Sequence, residues 1–376
     1  MILLLRASHV APDPRVEKEA RTLAQSGWSV RILAWDRENE LSAHETMEAR
    51  GAGHVDICRA KFRAPHGAGI SNLAALIRFQ LFLLREGFRE RRQVRAVHAC
   101  DLSTGLTGWV LARALRVPLV YDIFDFYADS FPVPKRSKPM VKRLERWVIN
   151  RADATILPTP DRLPQLGPCS PRRLLFLHNA PGTSELPAEA ARELAERDRV
   201  HLVYVGILAP HRLLSEVIPL VARRLDWRLD IGGFGPLEQV VVAACEQSPN
   251  ITFHGRLPYA KALKLEAASD IMFATYDPSV ANHRFSAPNK FYEALALGKP
   301  LIVCSQTGID DLVLSAGIGM AVAYDVNAFE VAVDAIHADV RGRANIAEIG
   351  PALYAENYAW EVMAPQLISL YESLAP

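Results

Sequence analysis

A chain of 376 residues, half of them apolar, has room for roughly two domains, each with its own core. The five cysteines (58, 100, 169, 245 and 304) are odd in number and scattered, and no apolar run approaches the ~18 residues that span a bilayer; a disulfide framework, a structural zinc clip and a membrane-spanning chain are excluded, and a reducing cytoplasm is expected. Net charge is only +1 but unevenly spread: residues 1–180 carry 28 Lys and Arg against 18 Asp and Glu, or +10, and residues 181–376 carry 15 against 24, or −9. The asymmetry points to an anionic surface or substrate facing the first half, and no nucleic-acid partner is expected.

Met1 to Leu5 reads as a first buried strand, too short and without the basic flank of a signal peptide. A polar turn leads to a helix from about Val16 to Gln25, Gly27 closes it, and Ser29 to Trp35 returns as a strand. In such a βαβ opening the loop lies at the carboxyl end of the strand, where open α/β sheets bind ligands. Arg15, at the start of the helix, is a candidate anion ligand; a solvent-facing arginine is the plainer alternative. From Ile70 to Phe88, apolar residues at 70, 73, 76, 77, 81–84 and 88 form a broad helical stripe. Lys61, Arg63, Arg78, Arg85, Arg89, Arg91 and Arg92 surround it. The pattern suits a helix lying in a membrane interface and equally one packed on a sheet.

Val94 to Cys100 is a strand running into Asp101 and a helix to about Leu115; Val117 to Tyr121 is the next strand, ending in Asp122-Ile-Phe-Asp125-Phe-Tyr127. Residues 131–146 are rich in Pro, Lys and Arg, residues 151–156 form a further strand, and residues 174–185 read as an interdomain linker. The alternation then restarts. Strands at 200–205, 229–231, 251–253 and 271–274 each end in a loop bearing glycine, proline or a charged residue.

The most informative stretch is Ser286 to Pro300, SAPNKFYEALALGKP. Pro288 and Asn289 form a turn that can cap a helix, Gly298 closes that helix, and Leu301 to Cys304 reads as a buried parallel strand. Glu293 sits inside an apolar helix, where an unpaired carboxylate is costly, and a ribose diol would be a fitting partner. Lys290 lies three residues back on the same face, near a helix N-terminus that attracts anions. A diol acceptor beside a cation describes a nucleoside-diphosphate site. The alternative is an ordinary strand–helix–strand unit with Glu293 reaching solvent.

At these residues the chain resembles the retaining GT-B glycosyltransferases of family 4, in the subgroup with a Pro-Asn-Lys turn. The resemblance implies an α/β fold of two doubly wound Rossmann-like domains facing each other across a cleft. It places an acceptor-side domain at residues 1–180, a nucleotide-sugar domain at 181–355, and a terminal helix at 356–376 crossing back to the first. It also implies donor-binding roles for Gly233, Gly235, Arg256, Leu257, Ser286, Asn289, Lys290 and Glu293, with Arg212 and Lys290 on the diphosphate. On the acceptor side it implies roles for His98, Asp101 and Asp125, which join Arg15, the candidate read from the helix start. Asp125 would orient or deprotonate the acceptor hydroxyl; capping a helix is the other reading of that residue. Two departures stand out. Phe285 replaces the first of two family glutamates, and Ile207 replaces an arginine that often precedes Arg212.

The reading that follows is a glycosyltransferase moving a sugar from a UDP- or GDP-linked donor to a hydroxyl acceptor, with retention and with neither metal nor cofactor. Bacterial surface-glycan or glycolipid synthesis is the expected setting. The acceptor would then be lipid-linked and the protein cytoplasmic, at the inner face of the membrane, with peripheral contact through residues 61–92 and 133–146. A sugar-nucleotide epimerase of the same fold, a transferase for a soluble natural-product acceptor and a non-catalytic nucleotide-sugar-binding subunit stay open.

Overall fold

The apolar tetrapeptide Ile2–Leu5 forms strand β1 in the computed structural model, with all four residues buried as a central parallel strand requires. The structure describes residues 1–49, 53–64, 72–131, 133–187, 199–286 and 288–374. They divide into one unit of residues 1–178 with 363–376 and a second of residues 179–362.

The first unit is built on an eight-stranded sheet. Its further strands are β2 (Val30–Asp36), β3 (His44–Glu48), β4 (His54–Lys61), β5 (Ala96–Cys100), β6 (Leu119–Asp122), β7 (Ala154–Leu157) and β8 (Leu174–Phe176). The order is β3-β4-β2-β1-β5-β6-β7-β8, and every pairing is parallel except the edge hairpin of β3 with β4. That hairpin escapes sequence reading because HETME buries only Met47, so the edge strand lacks the apolar signature of the central ones. Leu174–Phe176 likewise belongs to the sheet, which shortens the expected 174–185 linker.

Helix Leu73–Arg89 divides the predicted stripe between two faces. Leu83, together with Phe79 from outside the stripe, is buried against the sheet, while Leu73, Ile77, Leu81 and Phe88 are exposed. Packing thus claims one edge of the stripe and leaves the other to solvent. Ile70, its predicted first member, lies outside the described residues.

The second unit carries a six-stranded, wholly parallel sheet of β9 (Val200–Ile207), β10 (Trp227–Phe234), β11 (Ile251–Phe253), β12 (Ile271–Ala274), β13 (Leu301–Cys304) and β14 (Gly319–Val322). The order β11-β10-β9-β12-β13-β14 reverses direction between β9 and β12, so a crevice opens beyond the carboxyl ends of those two strands. Strand β10 reaches this end alongside β9, pairing Gly233 with Gly206. A Cβ on Gly233 would stand 1.8 Å from the Gly206 carbonyl oxygen, and its φ of +141° strains any other residue. Gly233→Ala is therefore expected to destabilise the protein by at least about 2 kcal/mol, read as a lower urea midpoint, because β9 backbone must shift. A midpoint within error of wild type would show that the two strands separate cheaply.

Candidate functional site

Helix Asn289–Leu297 starts with Asn289 in the first turn, yet no side chain caps it. The Asn289 amide oxygen instead accepts a hydrogen bond from Asn179 Nδ2 at 2.9 Å, which corrects the expected capping role. The helix is buried from Lys290 to Leu297, and its two charged residues, Lys290 and Glu293, are 8% and 5% exposed. Both line a cavity of about 280 Å³ at the β9–β12 crevice, together with Tyr204, Gly206, Arg212, Tyr259, Glu266 and Tyr276.

The Lys290 ammonium lies 4.5 Å from the centroid of the Tyr204 ring. A Cβ on Gly206 would come within 2.7 Å of Lys290 Nζ, so the glycine lets the ammonium lie against the backbone. Burial opposes its charge, but Tyr204, Tyr276 and the Glu293 carboxylate outweigh that cost and raise its pKa. Lys290 is thus a protonated cation inside the cavity. Glu293 accepts a hydrogen bond from the Tyr259 hydroxyl.

Arg212 enters from the loop after β9. Its guanidinium stacks 3.9 Å from the Tyr276 ring centroid and donates to His283 Nε2 at 3.2 Å. Its carbonyl accepts from Thr275 Oγ1 at 2.6 Å. His283 donates through Nδ1 to the Asp277 carbonyl at 2.9 Å, which leaves Nε2 as the acceptor Arg212 needs. Burial, reinforced by Arg212, lowers the His283 pKa and keeps the ring neutral. Sequence reading named Arg212 but missed His283, Tyr276, Tyr259 and Glu266, which come from other elements and carry no local motif.

The remaining donor candidates lie outside this cavity's lining. Gly233 and Gly235 pack against the main chain of Gly206 and Leu208, Leu257 packs on Gly232, and Arg256 stacks 4.5 Å from the Phe234 ring centroid. Ser286 caps the Ala281–Phe285 turn, which also holds Phe285. A larger concavity of about 640 Å³ covers residues 235–246, but its charged lining is Glu238 and Glu246, the wrong sign for a diphosphate.

In the first unit, Arg15 and His98 are interior. Arg15 pairs with Asp122 at 2.6 Å and Glu19 at 3.1 Å, which corrects the expectation that it offers its charge to an anion. His98 is wholly buried, with Nδ1 2.7 Å from the Tyr371 hydroxyl and Nε2 3.5 Å from Asp122. His98, Cys100 and Asp122 hold atoms close enough to share an ion, yet Arg15 and Tyr371 already engage two of them. Asp101, 6% exposed, accepts from Arg6 at 2.6 Å and from the Phe124 and Asp125 amides at 2.9 and 3.3 Å. It shapes the loop rather than facing solvent. Asp125 has a side chain 45% exposed and pairs with Arg162 at 3.1 Å. Phe126, not Asp125, occupies the cap position of the helix that follows.

Two family models match the sequence: a glycosyl transferase 4-like domain over residues 11–180 and glycosyl transferases group 1 over residues 188–339. No curated protein matches. Among solved structures, sucrose-phosphate synthase from Thermosynechococcus elongatus is 17% identical with a TM-score of 0.79, covering 100% of this chain and 99% of its own. HepE of Anabaena in complex with UDP is 15% identical with a TM-score of 0.69, covering 99% of both chains. The catalytic domain of starch synthase IV from Arabidopsis thaliana, bound to ADP and acarbose, is 12% identical with a TM-score of 0.68, also covering 99% of both. At these identities the structural likeness speaks to the fold.

Proposed function

The chain belongs to the GT-B glycosyltransferases, and from that premise we propose that it moves a sugar from a UDP- or GDP-linked donor to a hydroxyl acceptor with retention. The observation that carries the reading is the convergence of Glu293, Lys290 and Arg212 on one cavity at the β9–β12 crevice. A carboxylate there accepts the ribose diol, and two cations face the diphosphate as its charge develops on leaving. The nucleotides named with two similar structures, UDP with HepE and ADP with starch synthase IV, support a nucleotide donor. Asp125, on a loop of the first unit, is the carboxylate assigned to orienting the acceptor hydroxyl.

The test is release of UDP or GDP from a panel of nucleotide sugars, with and without alcohol acceptors, and the anomeric configuration of the product read by NMR. Acceptor-dependent release with retention supports the proposal. An isomerised sugar without acceptor would make the chain an epimerase, and binding without release a non-catalytic subunit. With Lys290 and Arg212 supplying positive charge, turnover is expected to continue in EDTA; stimulation by Mg²⁺ would assign part of that charge to a metal.

We further place the acceptor at an anionic membrane, in bacterial surface-glycan or glycolipid synthesis. The supporting observation is the exposed row Leu73, Ile77, Leu81 and Phe88, beside exposed Arg85, Arg89, Arg91 and Arg92. Residues 133–146 add exposed Lys135, Arg136 and Arg143 beside Met140, 67% exposed. No helix among the described residues is long and apolar enough to cross a membrane. Each basic residue near an anionic surface contributes about 1 kcal/mol, and partial insertion of the apolar row adds a term that salt does not screen. Sedimentation with anionic but not neutral vesicles is expected, and it should be lost when Arg85, Arg89, Arg91 and Arg92 become Ser. Failure to bind either vesicle type would favour a soluble acceptor.

A further inference from the structure

Helix Tyr259–Ala267 brings a second carboxyl to the donor cavity. Glu266 is 1% exposed, lines the cavity with Glu293 and Lys290, and has no hydrogen-bond partner at Oε2. The ionisable groups around it are Tyr259 on its own helix, Glu293 and Lys290 on helix Asn289–Leu297, and Tyr204, Arg212 and Tyr276 from β9 and the loops. Two buried carboxylates beside one ammonium cannot both ionise cheaply. Of the two, Glu293 has the Tyr259 hydroxyl as a donor, whereas Glu266 keeps an orphaned oxygen. Burial, and then the Glu293 charge, push the Glu266 carboxyl well above the usual carboxylate range against the pull of Lys290.

We propose, resting on the donor reading above, that Glu266 is a positioning residue of this cavity: it stands as the neutral acid, leaves the Lys290 charge undivided for the diphosphate, and offers its carboxyl proton to an oxygen of the bound nucleotide. An ionised Glu266 would neutralise the cation and repel the phosphates. A neutral one adds a hydrogen-bond donor in a place where water cannot compete. Donor affinity is thereby tied to the protonation of a residue that does not react.

The test is calorimetric titration of UDP and of GDP into wild type, Glu266→Gln and Glu266→Leu across about pH 6 to 9. Wild-type affinity is expected to fall with rising pH, by up to about tenfold per unit once Glu266 ionises. Glu266→Gln should hold the low-pH affinity throughout, since its amide donates and cannot ionise. Glu266→Leu should be equally independent of pH but about 3- to 10-fold weaker, lacking the donor. The titration of the nucleotide phosphate is common to all three proteins, so the comparison between them isolates Glu266. Nucleotide binding with the same pH slope in wild type and Glu266→Gln would overturn the inference alone. Failure of all three proteins to bind either nucleotide would overturn the donor reading with it.

Thermal melting supplies a readout independent of ligand. The unfolded chain ionises Glu266 at its ordinary pKa and the folded one at a raised pKa, so its stability cost grows as pH rises from the first to the second. Glu266→Gln should therefore melt above wild type at neutral pH, with the gap closing in acid. Parallel melting profiles would overturn the neutral-acid state.

Discussion

Lys290→Met is expected to lower turnover by about 10²- to 10³-fold, the scale of losing one preorganised charge-stabilising donor, while the protein stays folded with a lower melting temperature. The two halves of that expectation share one cause. Lys290 is almost wholly buried, and its ammonium faces an aromatic ring and a cavity. The surroundings favour that charge over the opposition of burial, and methionine fills much the same volume but leaves the buried Glu293 carboxylate without its cation. In the reaction, the ammonium meets negative charge as the diphosphate departs, so its effect falls on kcat more than on donor binding. Arg212→Ala should act in the same direction, because Arg212 is aimed from the β9 loop by His283 and Tyr276. Stopped assays of nucleoside-diphosphate release, paired with thermal melts, make the measurement. Wild-type kcat in both variants would remove them from leaving-group stabilisation. A loss of kcat matched by loss of folded protein at the assay temperature would mean that Lys290 holds the fold instead.

Glu293→Ala should weaken nucleotide binding by about 1–3 kcal/mol, the value of a hydrogen bond to a charged acceptor. The internal partner of the carboxylate supplies the control. Tyr259 donates to Glu293, so Tyr259→Phe removes that bond while leaving the carboxylate in place for a ribose diol. The phenylalanine variant is expected to bind donor within a few-fold of wild type and the alanine variant to bind far more weakly. Calorimetry with UDP and GDP separates them. Equal affinity across wild type, Glu293→Ala and Tyr259→Phe would place the nucleotide elsewhere. Equal losses in both variants would instead assign the effect to packing between helices Tyr259–Ala267 and Asn289–Leu297.

The sequence by itself determined the central strands, because a parallel strand covered on both faces must be an unbroken apolar run, as Ile2–Leu5 and Leu301–Cys304 are. It determined the donor helix as well. Gly298 closes it in the left-handed conformation, and Lys290 and Glu293 share one face through their three-residue spacing. Only the tertiary structure decided which charged residues meet each other and which are left for a ligand. Arg15 lies 107 positions from Asp122, and His98 lies 273 from Tyr371, so nothing local reveals that these pairs close on themselves. Glu266 and Tyr259 reach the donor cavity from a separate helix, and His283 reaches Arg212 across 71 residues. The edge strand His44–Glu48 belongs to the same class, since its order comes from pairing with β4 rather than from its own polar composition. Periodicity and turn chemistry act over a few residues and are written in the chain. Burial and charge pairing act through space, and the fold alone supplies those distances.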